Sequence, residues 1–109
     1  MAKRQKYNAV KTTVDGITFA SKAEVRRYSE LKLLEKAGEI TALCLQPPFP
    51  IVVNDIPICK YVADFIYWDV EKDAQIIEDV KGMKTPVYKL KKRLVEALYG
   101  ITITEIGGK

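Results

Sequence analysis

The chain contains no histidine. That absence removes His-centred triads, His-ligated zinc and any imidazole base, leaving carboxylates, lysine, tyrosine and hydroxyls to carry chemistry. Cysteine is almost as scarce: the two present, Cys44 and Cys59, make neither a disulfide framework nor a zinc knuckle. Each lies in an apolar neighbourhood and reads as a reduced core thiol rather than a redox centre. Charges break every apolar run well short of the ~18 residues a membrane span needs. No basic start followed by an apolar segment marks a secretory signal. The expectation is a cytoplasmic protein with no membrane partner and no small-molecule cofactor. Should a metal bind, oxygen ligands are the obvious choice, which favours a hard ion such as Mg²⁺ or Mn²⁺.

What is present fits one packed domain. At 109 residues, 48% hydrophobic and 29% charged, the chain has room for one core and enough apolar matter to fill it. The net charge of +4 permits a polyanionic partner without requiring one. Its distribution is more informative. Lys3, Arg4, Lys6 and Lys11 fill the N-terminal arm, and Lys84, Lys89, Lys91, Lys92 and Arg93 follow Lys81 with no acid among them. The reading divides the chain into a flexible basic arm over 1–7, a domain over 8–106 and a tail over 107–109.

Along the domain, Val14-Asp15-Gly16-Ile17 predicts a hairpin turn, because Asp-Gly supplies positive-φ positions. Ser21-Lys22-Ala23-Glu24 opens a helix with the capping-box pattern, and Ala37-Gly38 stops it after about Lys36. Strands are expected at 40–45 and 60–69, and again at 76–81. Residues 46–50 carry a proline-rich interruption, Ile51 to Val53 resume the strand texture, and Asn54-Asp55 form a turn. Glu71-Lys72-Asp73 connects the later two strands. Thr85 caps a second helix with Pro86 in its first turn and an apolar stripe of Val87, Leu90, Leu94 and Leu98. Gly100 ends that helix before a last strand over 101–104. The expected fold is α/β, a mixed sheet flanked by helices.

Several charges have no bland place in this scheme. Alternation puts Asp79 and Lys81 on one face of their strand, and Glu78 with Val80 on the other. Asp64 sits in the middle of KYVADFIYWD, where a lone carboxylate carries a heavy desolvation cost unless paired, protonated or on a metal. A hairpin fold-back around Lys72 brings Asp64 opposite the Asp79–Lys81 region. Glu24 falls within the arc of Val25, Tyr28, Leu31 and Leu34 and so points toward the sheet.

Asp64 followed by Asp79-Val80-Lys81 resembles the D…(D/E)-x-K signature of the PD-(D/E)XK nuclease superfamily, whose αβββαβ core, the restriction-endonuclease-like fold, matches the element order above. Residues Tyr7 to Ile106 resemble more closely a family of short phage and prophage endodeoxyribonucleases related to Holliday-junction resolvases. YNAVKTTVDGITFASKAEVRRYSELKLLEKAGEI, YVADF, IEDVKG and TPVYKLKKRLVEALYGI carry that likeness. Ala63 stands where the superfamily's name has proline, a position that varies.

The resemblance implies a phage-encoded endodeoxyribonuclease that hydrolyses DNA phosphodiesters, acting in the host-cell cytoplasm in recombination or replication. In it Asp64, Asp79 and the Val80 carbonyl would hold Mg²⁺, with Mn²⁺ as a substitute. Glu24 would join directly or through water, and Lys81 would lie beside the attacking water. The partner would be branched or duplex DNA, and two symmetric nicks would need a homodimer.

Other readings remain open at this level. Glu24 serves equally as half of a capping box. Asp64 pairs structurally with Lys60 or Lys81, or Asp79 and Lys81 form a plain ion pair. Glu78 reads as a solvated or edge charge outside the site. Gln46 is either a loop amide or a contact to water or DNA. Lys89, Lys92 and Arg93 on the second helix, with Lys84 in the loop before it and Lys11 in the arm region, form either a DNA-binding face or a solvated one. Tyr61, Tyr67, Trp68, Tyr88 and Tyr99 read as core and interface aromatics. The rival functions are a noncatalytic DNA-binding subunit on the same scaffold and a nicking or repair nuclease without junction preference.

Overall fold

The computed structural model describes residues 11–107. The proposed arm over 1–7 and the last two residues of the proposed tail lie outside that range. A short hairpin, β1 (Thr12–Val14) and β2 (Ile17–Phe19), turns at Asp15-Gly16, both with positive φ. Helix α1 (Lys22–Lys36) follows, capped by the Ser21 hydroxyl accepting from the Glu24 amide. Strands β3 (Ile40–Leu45), β4 (Pro48–Val53), β5 (Ile56–Val62), β6 (Phe65–Asp69) and β7 (Ala74–Lys81) come next. Helix α2 (Pro86–Tyr99) and strand β8 (Ile103–Gly107) complete the domain.

The main sheet has the order β3-β6-β7-β8. Its first three strands are antiparallel neighbours, and β8 runs parallel to β7 after the α2 crossover. Set aside the two hairpins, and α1, β3, β6, β7, α2, β8 give the αβββαβ order of an α/β domain with a mixed sheet. Two apolar clusters cover its two faces. Phe19, Tyr28, Leu31, Phe65, Tyr67 and Val80 pack on the α1 side. Ile51, Tyr61, Ile77, Tyr88, Val95 and Ile103 pack on the side of α2 and the β4–β5 hairpin. Among the described residues no helix is long and apolar enough to cross a membrane.

The structure corrects several expectations. Residues 60–69 are not one strand. The chain leaves the β4–β5 hairpin after Val62, crosses Ala63 and Asp64, and enters the main sheet at Phe65. Pro48 and Pro50 account for this, since strands lacking N–H donors suit a two-stranded hairpin rather than a central ladder. Asn54 and Asp55, both at positive φ, close that hairpin. The last strand starts at Ile103 rather than 101 and includes Gly107, which the tail had claimed. Parallel pairing with β7 sets those bounds, from Ile77↔Ile103 to Lys81↔Gly107. Cys44 and Cys59 are free, as expected, but both are exposed rather than in the core.

Helix α2 differs most in orientation. Its buried residues are Tyr88 and Val95, while Val87, Leu90 and Leu98 of the expected apolar stripe are exposed. The stripe is therefore turned about 100°, one residue's rotation, away from the sheet. Tyr88 decides the rotation, because its ring covers Lys81 and its hydroxyl donates to Glu105 on β8.

Glu78 is also corrected. It does lie on the face opposite Asp79, yet it is 1% exposed, neither solvated nor at an edge. Arg27 of α1 grips it with a two-pronged contact, Nε to Oε1 at 2.8 Å and Nη2 to Oε2 at 2.6 Å. The Tyr67 hydroxyl also donates to Oε2. Taking away one member of such a pair strands a buried charge and costs about 3–5 kcal/mol.

A local test concerns α2's end. Gly100 adopts φ 65 at the C-cap, and its N–H donates to Glu96 O at 3.0 Å. Beyond the adjoining backbone, nothing lies within 4 Å of a β-carbon added there. Gly100→Ala should thus destabilise through backbone strain alone, by about 1 kcal/mol in urea titration.

Candidate functional site

The register Phe65↔Glu78 makes Asp64 and Asp79 neighbours across the β6–β7 ladder. Asp64 stands where the chain switches sheets, and its backbone is tied on both sides. Its N–H donates to Glu78 O at 3.0 Å and its carbonyl accepts from Gln46 N at 2.9 Å. Its side chain is held as well, Oδ2 accepting from the Val80 amide at 2.7 Å. Such over-determination is how a fold keeps a carboxylate in an unfavourable place.

Asp79 is 1% exposed. Its Oδ2 accepts from the Tyr61 hydroxyl of β5, and its Oδ1 pairs with Lys81 Nζ at 3.3 Å. Lys81 also lies 4.6 Å from the centre of the Tyr88 ring, so acid and aromatic hold the ammonium from two directions. The network continues outward. Tyr88 donates to Glu105 Oε2 at 2.7 Å, and Lys84 pairs with Glu105 at 3.1 Å. Burial, then hydrogen bonding to Asp79, raises the pKa of Tyr61, so it remains a donor throughout the physiological range.

A cleft of about 340 Å³ opens beside these groups, and Glu24, Asp64, Lys81, Gln46 and Lys11 are among its lining residues. Four of the expected site residues therefore converge with Asp79 at one end of the sheet. Glu24 lines the cleft, and its first turn is capped by the Ser21 hydroxyl alone. Its carboxylate accepts from Ala20 N at 3.4 Å, a long contact, rather than closing the box on the Ser21 amide. Gln46 reaches the cleft rim in a left-handed conformation, φ 54, that a glutamine adopts only under constraint.

Electrostatics single out Asp64. Its pKa is pushed up to about 8, first by burial and then by the facing Asp79 carboxyl and the charge of Glu24, against the Val80 N–H. Glu24 shifts upward too, through burial foremost, opposed by the Ala20 amide and by Lys81. The carboxylate oxygens of Asp64 and Glu24 at the cleft are hard donors of the type a divalent cation takes. Among the described residues, however, no three acidic or thiol side chains are gathered into a metal-holding cluster. Asp79 is occupied by Tyr61 and Lys81, which leaves Asp64 and Glu24 facing the open space.

The basic residues behave less uniformly than expected. Lys11 lines the cleft. Lys89 and Arg93 are exposed on α2. Lys84 and Lys92 instead pair with Glu105 and Glu96, at 3.1 and 3.5 Å. Both acids lie beyond the acid-free run and return through the helix turn and the β7–β8 pairing.

Sequence reasoning missed the contributions of Tyr61 and Tyr88, whose rings are core but whose hydroxyl or ring face holds a charged site residue. It missed Arg27 altogether. A signal existed: at 100° per residue Arg27 falls on the same arc as Glu24, Tyr28 and Leu31. A basic side chain there needs a buried acid on the sheet.

With its pKa raised in the folded state, Asp64 binds more protons folded than unfolded between its ordinary range and about 8. Stability then falls as pH rises through that window. Metal-free Asp64→Asn should flatten that slope and melt higher than the wild type near pH 8.5. Differential scanning fluorimetry from pH 5 to 9 in EDTA reads this directly.

No curated protein and no solved structure matches the chain. A family model does, over residues 4–105. That span covers nearly the whole domain, and the chain belongs to the family described as "Protein of unknown function (DUF1064)".

Proposed function

We propose that this protein is a Mg²⁺-dependent endodeoxyribonuclease, of the PD-(D/E)XK type, that hydrolyses DNA phosphodiesters and prefers branched DNA such as a four-way junction. The observation that carries the reading is the convergence of Glu24, Asp64 and Lys81 on one cleft beside buried Asp79. These groups come from separate elements, and packing alone would not require them to meet.

In this reading Asp64, Asp79 and the Val80 carbonyl would hold the metal, with Mn²⁺ able to substitute, and Glu24 would join directly or through water. A bound divalent ion supplies a lowered water pKa and offsets charge building on the phosphate. The chain's own residues do the rest. Asp79 and Tyr88 fix the Lys81 ammonium, which orients a water against the phosphorus and balances the acids. Tyr61 fixes the Asp79 carboxylate, so the acid need not reorganise when substrate arrives. Gln46, on the cleft rim, would contact the DNA strand.

DNA would be drawn in by phosphate contacts from Lys11, Lys89 and Arg93. Lys84 and Lys92 contribute less, since each already neutralises a glutamate. Two symmetric nicks on a junction call for a homodimer, and the exposed Val87, Leu90 and Leu98 stripe of α2 is an apolar face that a second copy would cover. The site of action is the cytoplasm, that of the host for a phage-encoded enzyme. A noncatalytic DNA-binding subunit is the weaker reading, because it would keep a self-repelling Asp64–Asp79 pair to no purpose.

The deciding assay compares a synthetic four-way junction with linear duplex, in Mg²⁺ and in EDTA. Metal-dependent cutting favouring the junction is expected, leaving 5′-phosphate and 3′-hydroxyl ends. Asp79→Asn and Lys81→Ala should each lower the rate at least about 100-fold. Glu24→Gln should keep the helix cap, and thus the melting temperature, but lose most activity. Absence of metal-dependent cutting of any DNA removes the enzyme reading, and equal cutting of both substrates removes only the junction preference.

Binding offers a separate check. Lys89→Gln with Arg93→Gln should weaken duplex affinity and reduce the log–log salt slope by about 2. An unchanged slope in fluorescence anisotropy would take α2 out of the DNA interface.

A further inference from the structure

We propose that Arg27, Glu78 and Tyr67 form a positioning clamp that sets the placement of Glu24 on α1 relative to Asp64, Asp79 and Lys81 across the sheet. The inference rests on the nuclease reading for its catalytic consequence. Its geometry stands independently.

Glu78 does two jobs from one position. Its carbonyl accepts from the Asp64 amide at 3.0 Å, and its carboxylate takes the Arg27 fork and the Tyr67 hydroxyl. The next residue along β7 is Asp79. Arg27 lies one helical turn after Glu24, and its Nη1 also reaches Glu30 at 3.0 Å, which braces the guanidinium from its own helix. One buried acid therefore ties together the three elements that carry the site: α1, the entry to β6, and β7.

None of the three clamp residues lines the cleft. Arg27 and Tyr67 line a separate cavity of about 570 Å³ with Ile40 and Asp69. They are thus positioning residues rather than catalytic ones. A fork of two charge-assisted bonds fixes orientation as well as distance, which apolar packing of Tyr28 and Leu31 does not. Were the pair needed only to fill space, hydrophobic side chains of similar volume would serve as well or better. Glu24 sits in the first turn of α1, where the tilt of the helix decides whether its carboxylate faces Asp64.

The test replaces the pair by an apolar one, Arg27→Met with Glu78→Leu, and reads fold, geometry and rate separately. Spin labels at Ser29→Cys on α1 and Gln75→Cys on β7, both exposed sites, report the helix-to-sheet distance. The exposed native thiols are first removed as Cys44→Ser and Cys59→Ser. The folded double variant should show a broadened or shifted distance distribution. Its single-turnover cleavage constant should drop at least tenfold, with DNA affinity unchanged.

Arg27→Lys, which keeps the charge and loses the fork, should fall between the two, and it becomes the working variant if the apolar pair does not fold. A folded variant with wild-type distance and rate overturns the proposal, and so does a rate loss with no change in distance. If the wild type cuts no DNA, the nuclease reading fails, and the distance distribution alone then decides the clamp.

Discussion

Two adjacent residues of β7, Glu78 and Asp79, are each 1% exposed and point to opposite faces of the sheet. A buried carboxylate is tolerated only when partners replace the water it lost. The structure is organised around meeting that requirement twice, back to back. On the α1 face a guanidinium and a tyrosine hydroxyl meet Glu78. On the other face a tyrosine hydroxyl from the β4–β5 hairpin and the ammonium of Lys81 meet Asp79. Helix, hairpin and sheet are each anchored to one strand by a charge.

The two solutions are not equivalent, and the difference separates scaffold from site. Glu78 is neutralised by Arg27, whose guanidinium is charged at every physiological pH. Asp79 has Lys81, while burial first, and then the facing Asp79 carboxyl and the charge of Glu24, make Asp64 hold its proton to about 8. One face is electrostatically closed. The other opens on a cleft lined by Asp64, Glu24 and Lys81, where a titratable carboxyl is left without a cationic partner of its own. A fold selected only for stability would have little reason to maintain that imbalance.

Much of this was legible in order along the chain. The caps at Ser21 and Thr85, the stop at Gly100 and the Asp15-Gly16 turn are local chemistry, and each appears where its residues require. The placement of Asp64 beside Asp79 followed from a short connection and the two-residue period of strands. Glu78 shows the limit of the same rule. Alternation assigned its face correctly, but whether that face meets solvent or α1 depends on Arg27, fifty-one positions away in sequence. The stripe on α2 failed for a related reason. Helical period located an apolar face, while Tyr88, through Lys81 and Glu105, chose which face turns inward.

The sequence by itself determined the element order, the α/β class and the set of acids and lysine that could act together, because capping, turn and alternation rules operate over a few residues. Only the tertiary structure decided that residues 60–69 split between two sheets, that Tyr61 and Tyr88 brace the charged pair, and that Lys84 and Lys92 are already engaged. Those outcomes hinge on which distant groups must satisfy a buried charge or an unpaired backbone amide, and desolvation is imposed by packing rather than by neighbours in the chain.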